Sequence, residues 1–512
     1  MPKRSQIILT ALNVLLITLP YLIAWGKAGE SYVFNGFLLN PIDGNSYLAK
    51  MYQGWAGEWQ FTLPFSAEAN QGGFLFLFYI FLGHVARWLG LSLIFTFHLA
   101  RVAGSIVLCL VLARFIKVYL PNSSARTQVI GFALCLFGAG LGWLAAFFGG
   151  FTSDFWVAEA FPFLSMYSNP HFPLGLALVL DYFTYLKSPR LSGKLIGMFV
   201  KGLLLAVVMP FGVVLASVVT LGLQAWEYIY KDRLIRWWSL VFLVPGGLFL
   251  IYQYVVIGSD PMLLQWNEQN LTPTPAIWDV LIAFSPALIA AMFAIWHFYK
   301  RTSLYEYRVL VIWLVVGLSL AYFPFQLQRR FLLGYYIPVA CLASILLGRV
   351  LEKPRSIARF GVFVFLAASM LTNVFILAGG LAATSRNDPK LYYPQDMQAA
   401  FEWMSYERTD TPLILASSDT GLLIPGATGW KVIYGHPYET PRADLRKSQV
   451  DAVFSGMLNL DTLDQFITVN RIEYIYYGPF ERNMGVGPVI FDFYPVVYDN
   501  GDVQIYLAGA AR

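Results

Sequence analysis

The sequence predicts an all-α polytopic membrane bundle of about eleven transmembrane helices, followed by a water-soluble α/β domain at its C-terminal end. Three observations lead there. The chain is 57% hydrophobic and 13% charged, whereas soluble domains carry about 25% charged residues. Apolar runs of spanning length recur from residue 6 to residue 381. Past residue 385 the composition turns polar, opening on Arg386, Asp388 and Lys390.

The 30 Tyr, 41 Phe and 15 Trp suit a protein with two lipid–water interfaces, where amphipathic rings settle. The net charge of +5 comes without a Lys/Arg cluster on a soluble face, so no nucleic-acid partner is implied. Cys109, Cys135 and Cys341 lie inside apolar runs and read as core residues, not as a disulfide or zinc framework.

A span needs about 20 mostly apolar residues. In chain order the candidates are 6–26, 95–117, 127–148, 171–187, 194–209, 211–230, 237–257, 278–299, 308–324, 331–348 and 359–381. The first follows Lys3-Arg4 and lacks a small-residue cleavage site, so it is expected as an uncleaved helix. The segment 73–91 is also apolar but is broken by His84, Arg87 and Gly90. The positive-inside rule decides its place. With 73–91 left out, one side collects Lys3/Arg4, Arg114/Lys117/Arg126, Lys187/Arg190/Lys194, Lys231/Arg233/Arg236, Lys300/Arg301/Arg308 and Arg349/Lys353/Arg355/Arg359. The opposite connections 149–170 and 258–277 hold no Lys or Arg. Counting 73–91 as a span divides the basic loops between the two sides. The expectation is therefore a multi-pass cell-membrane protein with a cytoplasmic N-terminus, 73–91 at the outer interface and the tail outside.

That topology divides the chain into a membrane module, 1–384, with outer loops 27–94, 149–170 and 258–277, and an extracytoplasmic domain, 385–512. The tail alternates helix-like segments (394–408, 440–456, 461–470) with strand-like ones (412–416, 431–434, 472–477, 495–498, 502–507). No internal or inverted repeat is evident.

The polar chemistry collects in the outer loops. Asn40-Pro41-Ile42-Asp43-Gly44-Asn45 puts a carboxylate at the start of a short helix, with Tyr47, Leu48, Met51, Tyr52 and Trp55 at helical spacing behind it. Asp43 reads equally as a helix cap or as a chemical group. Glu58, Glu68, His84 and Arg87 follow, then His98 and Arg101. Arg101, near the outer end of its span, reads first as a snorkelling side chain. Arg329-Arg330 fall outside against the positive-inside trend, and paired guanidinium groups at headgroup depth suit phosphate. The second loop holds Asp154, Glu159 and Asn169-Pro170-His171, and the third holds Gln269 and Asn270 in a run that is either ligand contact or ordinary turn. Asp181 sits near the inner end of its span and reads as a snorkelling or helix-pairing residue in preference to a proton relay. No P-loop, His-Glu-x-x-His, Gly-x-Ser-x-Gly or Rossmann glycine signature occurs.

These features together resemble the GT-C superfamily of membrane glycosyltransferases, in particular bacterial members akin to protein O-mannosyltransferases and lipid A aminoarabinose transferase. The local strings are Asp43-Gly44-Asn45-Ser46-Tyr47-Leu48-Ala49-Lys50-Met51, Leu82-Gly83-His84-Val85-Ala86-Arg87, Asn169-Pro170-His171-Phe172-Pro173, Gln328-Arg329-Arg330 and Gly435-His436-Pro437-Tyr438-Glu439-Thr440-Pro441. The resemblance implies transfer of a sugar from a polyprenyl-phosphate donor to an acceptor hydroxyl (on a glycan, lipid or protein) at the extracytoplasmic face. It maps Asp43 to the general base, Arg101, Arg329 and Arg330 to the donor phosphate, and Glu159, or Asp154, to the second-loop acid. Asn45, His84, Arg87, His171, Gln269 and Asn270 become candidate substrate contacts. Several relatives have paired acids in the first loop, whereas Asp43 is followed by Gly44-Asn45. Relatives with lipid-monophosphate donors work without a metal, while oligosaccharyltransferase-like relatives use one. No metal or other cofactor is expected here. The alternative from another class is a transporter or flippase of a lipid-linked or anionic substrate, to which a helix broken at Pro210 would be the pointer. His436 and Glu439 read as shaping a loop.

Overall fold

In a computed structural model, the described residues are 1–187, 195–230, 238–300, 306–352, 356–407 and 411–509. The basic positions Arg190, Lys194, Lys231, Arg233, Arg236, Arg301, Lys353 and Arg355 lie outside them.

The chain is a mostly helical, multi-pass membrane protein. Among the described residues, seven helices are long and apolar enough to cross a membrane: Lys3–Ala28, Leu93–Tyr119, Ala125–Ala146, Pro210–Ile229, Ser239–Ser259, Gln328–Glu352 and Ser356–Ser385. The pair Ile277–Phe284 and Ala287–Phe298, bent by 86° at its break, makes an eighth if it counts as one span. Among the described residues, the helices of three further expected spans are shorter. His171–Lys187 has 17 residues, and Leu195–Val208 and Arg308–Ala321 have 14 each. At ~1.5 Å per residue these reach about 26 and 21 Å, against a hydrocarbon core of about 30 Å. The break at Pro210 has a local cause. A residue before proline is pushed out of helical geometry, and Met209 takes φ −153° and ψ 78° between the two helices. The helix in 73–91, Leu77–Leu89, has 13 residues, about 20 Å, and is too short to cross.

The chain forms two compact units. The first comprises Met1–Leu22, His98–Ile251 and Thr272–Ala382; the second comprises Ile23–Phe97, Tyr252–Leu271 and Ala383–Arg512. In the first, Tyr336–Glu352 packs against Ala125–Phe137 and Ala287–Lys300. A Cβ on Gly348 would fall 2.0 Å from the Thr127 hydroxyl, so this crossing tolerates only glycine there.

The second unit is built on a five-stranded sheet ordered Lys431–Val432, Leu413–Leu415, Tyr474–Tyr477, Gln504–Leu507, Val496–Asp499. The first three strands run parallel, in the register Leu413↔Lys431 and Ile414↔Tyr474, and the last two pair antiparallel. The central parallel strands Leu413–Leu415 and Tyr474–Tyr477 are buried on both faces, as parallel strands require. Leu413, Leu415, Ile475 and Tyr477 pack against Val450, Val453, Phe454, Leu463 and Ile467 of the helices Ala443–Phe454 and Leu460–Asn470. On the other face, Ile414, Tyr474, Tyr476 and Ile505 meet Met397, Phe401 and Met404 of Gln395–Glu407, Ile424 of Ser418–Thr428, and Ala49 and Phe65 of the first loop. The strands fall where the alternation of the sequence put them. Helix Ser418–Thr428, interrupted by glycines and Pro425, gave no such signal. A separate antiparallel pair, Tyr32–Phe34 with Tyr392–Pro394, ties the first loop to the start of the tail.

Candidate functional site

In the second unit, the helix Pro41–Ala56 carries Asp43 in its first turn. Asn40 occupies the cap position in the left-handed region (φ 50°), a conformation asparagine tolerates, and Pro41 starts the helix with φ already set. The Asn40 Nδ2 donates to Asp43 Oδ2 at 2.5 Å. Asp43 therefore stands at the positive end of the helix dipole with its side chain 36% exposed.

The helix Leu77–Leu89 lies against Pro41–Ala56 at a distance only glycine permits. A Cβ on Gly54 would meet the Ile80 carbonyl oxygen at 1.9 Å, and one on Gly83 the Met51 carbonyl oxygen at 1.9 Å. Tyr47 stacks on Tyr79 at 4.2 Å above this crossing.

The loop Gly435–Pro441 of the tail reaches the same helix. Its start packs closely against the helix Ser418–Thr428: a Cβ on Gly421 would lie 2.2 Å from the Tyr434 carbonyl oxygen, and one on Gly435 2.3 Å from that of Gly421. The next residue, His436, is buried, with Nε2 at 3.6 Å from Asp43 Oδ1. The Tyr438 and Glu439 backbone N–H groups donate to its Nδ1 at 3.2 and 3.1 Å.

Three residues on, Glu439 meets Lys50, whose ammonium lies 2.6 and 2.9 Å from the two carboxylate oxygens and donates to Ser46 Oγ at 2.5 Å. Ser46 donates to the same carboxylate at 2.6 Å. Lys50 has no exposed side-chain surface and is surrounded by the rings of Phe76, Tyr47 and Phe61. Burial works to raise the Glu439 pKa, but the Lys50 charge, the neighbouring His436 and the hydrogen bonds from Lys50 and Ser46 together outweigh it and hold the carboxyl below its usual range.

The remaining candidates of this unit support that frame. Asn45 donates back to the Pro41 carbonyl at 2.9 Å. It also lines a cavity of about 560 Å³ with Tyr52, Trp55, Tyr393, Gln398 and Phe401, and among the described residues no charged side chain lines that space. His84 Nε2 bonds with the Glu58 carbonyl at 2.9 Å, and its ring stacks on Trp59 at 4.0 Å. Arg87 lies by Gly57, the C-cap of Pro41–Ala56, where a cation meets the negative end of the dipole. Gln269, expected as a ligand contact, commits its amide to the Tyr438 and Thr440 carbonyls at 3.1 and 2.5 Å and so braces the His436 loop. Asn270 caps the helix Pro261–Gln269.

The first unit holds the other group. Glu159 is buried and accepts from Arg329 Nε at 3.3 Å, with Arg330 Nη1 at 4.0 Å. Both arginines come from the short 3-10 helix Gln328–Leu332. The Arg329 guanidinium lies 4.8 Å over the Trp156 ring, and that of Arg330 lies 5.7 Å from the Phe211 ring. Their side chains are 21% and 22% exposed. Glu159, expected to orient acceptor or base, is in contact with the arginine pair.

Asp154 is fully buried and accepts from the Gly140 and Gly142 N–H groups and from Thr152 Oγ1. Those bonds brace the turn that ends the Ala125–Phe137 helix. Arg101, expected at the donor phosphate, is also buried. Its Nη1 donates to the Ile17, Met166 and Tyr167 carbonyls, its Nε donates to His98 Nδ1, and Tyr21 covers its plane at 4.3 Å. Here the guanidinium ties three chain segments together through backbone carbonyls. His171 is buried against Phe172 at 4.0 Å. Among the described residues, no group of three or more His, Cys, Asp or Glu side chains could hold a metal ion, and no step below runs through one.

The two groups stand in different compact units, Asp43 with His436, Lys50 and Glu439, and Glu159 with Arg329 and Arg330. Reading the sequence in order missed His436, Lys50 and Glu439 as parts of Asp43's surroundings. The available signal was Lys50 itself, a cation four residues from Ser46 within a run of apolar and aromatic side chains.

The fold is that of the GT-C membrane glycosyltransferases. The chain is similar to the oligosaccharyltransferase of Archaeoglobus fulgidus tethered with an acceptor peptide, with a TM-score of 0.58 at 13% identity over 93% of this chain and 69% of that one. The Archaeoglobus fulgidus oligosaccharyltransferase AglB in complex with an inhibitory peptide and a dolichol-phosphate gives 0.55 at 12% identity over 98% and 74%. ArnT from Cupriavidus metallidurans bound to undecaprenyl phosphate gives 0.51 at 11% identity over 98% and 99%. No protein-family model and no curated protein matches the sequence. At 11–13% identity the likeness is one of fold.

Proposed function

We propose that the chain is a membrane glycosyltransferase that moves a sugar from a polyprenyl-phosphate donor to an acceptor hydroxyl on the extracytoplasmic face, with Asp43 as general base. The observation that carries this reading is the setting of Asp43. It is a partly exposed carboxylate in the first turn of a helix, with Asn40 bonded to one oxygen and His436 facing the other. The fold shared with ArnT bound to undecaprenyl phosphate, and with AglB in complex with a dolichol-phosphate, supports a lipid-phosphate donor.

In the proposed step, Asp43 takes the proton of the acceptor hydroxyl as its oxygen bonds to the anomeric carbon. The bond from that carbon to the phosphate oxygen breaks, and its electron pair leaves with the lipid phosphate. Arg329 and Arg330 are the proposed ligands of that phosphate, because planar guanidinium groups bind it by charge and by paired hydrogen bonds. Glu159 then serves to orient the pair through its contact with Arg329. In this reading the N-terminus is cytoplasmic and residues 385–512 lie outside.

The test is to incubate the purified protein with a panel of polyprenyl-phosphate sugars and to follow donor consumption. Asp43→Asn should lower turnover by about 10²- to 10⁴-fold, the usual worth of a general base, while membrane insertion and folding stay normal. Turnover near the wild-type level in that variant would overturn the assignment.

A further inference from the structure

We propose that His436, from the C-terminal tail, is the positioning residue of Asp43: its Nε2–H holds one carboxylate oxygen of the base in place. This rests on the reading of Asp43 as base, and it makes the tail a part of the catalytic machinery.

The hydrogen-bond geometry assigns the tautomer. Two backbone N–H groups, from Tyr438 and Glu439, converge on Nδ1. That nitrogen must present its lone pair to both, so the ring hydrogen sits on Nε2. Nε2 is buried and, among the described residues, has no partner at hydrogen-bond distance. It lies 3.6 Å from Asp43 Oδ1. A catalytic hydrogen bond left slightly long without substrate and closed when substrate binds has this geometry. The two oxygens of Asp43 are thereby distinguished, Oδ2 held by Asn40 at 2.5 Å and Oδ1 facing His436. A relay role is a poorer fit, because Nδ1 would have to take a proton against two N–H donors.

The surroundings hold the ring still. Phe65 lies 5.6 Å from it and Tyr438 6.2 Å, centroid to centroid. Gly421 and Gly435 let the chain approach closely just before it. Just after it, the Lys50–Glu439 pair fixes the loop to the helix that carries Asp43. Asp43, Glu439, Lys50 and Tyr438 are titratable groups that face this assembly. The network therefore holds a tail residue beside a first-loop residue, where a misplacement of about an ångström can cost about a hundredfold in rate.

The experiment compares His436→Phe and His436→Gln in the full-length protein, assayed with undecaprenyl-phosphate-linked hexose and pentose donors. Phenylalanine keeps the volume and removes the N–H, whereas the glutamine amide restores a donor. His436→Phe should lower kcat about ten- to a hundredfold, the cost of a base misplaced by about an ångström, with donor and acceptor KM unchanged within about twofold. His436→Gln should recover most of kcat. In the wild type, 15N NMR of labelled histidine, assigned by difference against His436→Phe, should report the Nε2–H tautomer. A wild-type kcat in His436→Phe, a change confined to KM, no recovery by glutamine in a normally melting protein, or the Nδ1–H tautomer would each overturn the proposal. Asp43→Asn separates the two readings. If it retains turnover, the base falls and His436's role falls with it. If it abolishes turnover while His436→Phe does not slow the reaction, only the positioning role is overturned.

Discussion

Replacing Lys50 by methionine should loosen the tail loop that carries His436, and the structure sets the size of the effect. The Lys50 ammonium is fully buried and lies 2.6 and 2.9 Å from the two Glu439 oxygens. Methionine fills much of the same space among Phe76, Tyr47 and Phe61 but leaves the Glu439 carboxylate buried with Ser46 as its remaining side-chain donor among the described residues. Removing one partner of a buried ion pair costs about 3–5 kcal/mol. At about 1.4 kcal/mol per decade, that is a factor of roughly 10² to a few times 10³ in the opening equilibrium, up to the limit set by global unfolding. The assay is hydrogen exchange at the Tyr438 and Glu439 amides, which are the two donors to His436 Nδ1. The double variant Lys50→Met/Glu439→Gln removes both charges, and replacing a whole pair is often nearly neutral. It should therefore recover most of the protection. If Lys50→Met leaves those amides unchanged, or if the double variant is as open as the single one, the pair does not hold the loop.

Three other expectations follow from the same geometry. Glu439 has a folded pKa depressed below its ordinary 4.5, so its contribution to stability is present above that value and is lost as pH falls through the lower folded one; protection of the loop should persist at neutral pH and disappear in acid, measured by exchange across a pH series. Arg329→Ala and Arg330→Ala should each raise the donor KM about 10- to 150-fold, the worth of a hydrogen bond to a charged group at about 1.5–3 kcal/mol, and an unchanged KM would count against the phosphate assignment. Gly83→Ala puts a methyl group 1.9 Å from the Met51 carbonyl oxygen and should cost about 1–3 kcal/mol by overpacking, seen as a lower melting temperature. Gly26→Ala, with nothing within 4 Å, is the control that should not destabilise.

Composition and periodicity carried the class of the molecule. Long apolar runs predict helices because a span must satisfy its backbone internally, and seven of the expected spans reach crossing length. Hydropathy does not register where a helix stops, which is why the run at 308–324 extends past the end of the helix Arg308–Ala321. The tail strands were legible by their alternation, but their order was not. Sheet order depends on crossovers between strands far apart in sequence, as in the pairing of Leu413–Leu415 with Tyr474–Tyr477.

The site divides in the same way. Sequence alone pointed to Asp43, because a carboxylate beside a helix start is a local feature, and to Arg329-Arg330, because two cations against the charge trend are visible without a fold. Only the tertiary structure decided their surroundings. It set His436 against Asp43 and Glu439 against Lys50, residues nearly 400 positions apart in the chain. It put Glu159 on the arginines and turned Arg101 onto backbone carbonyls. Local propensity and polarity depend on neighbours within a few residues and can be read in order along the chain. Which charge meets which depends on close backbone approaches, at Gly54, Gly83, Gly421 and Gly435, that exist only once the chain has folded.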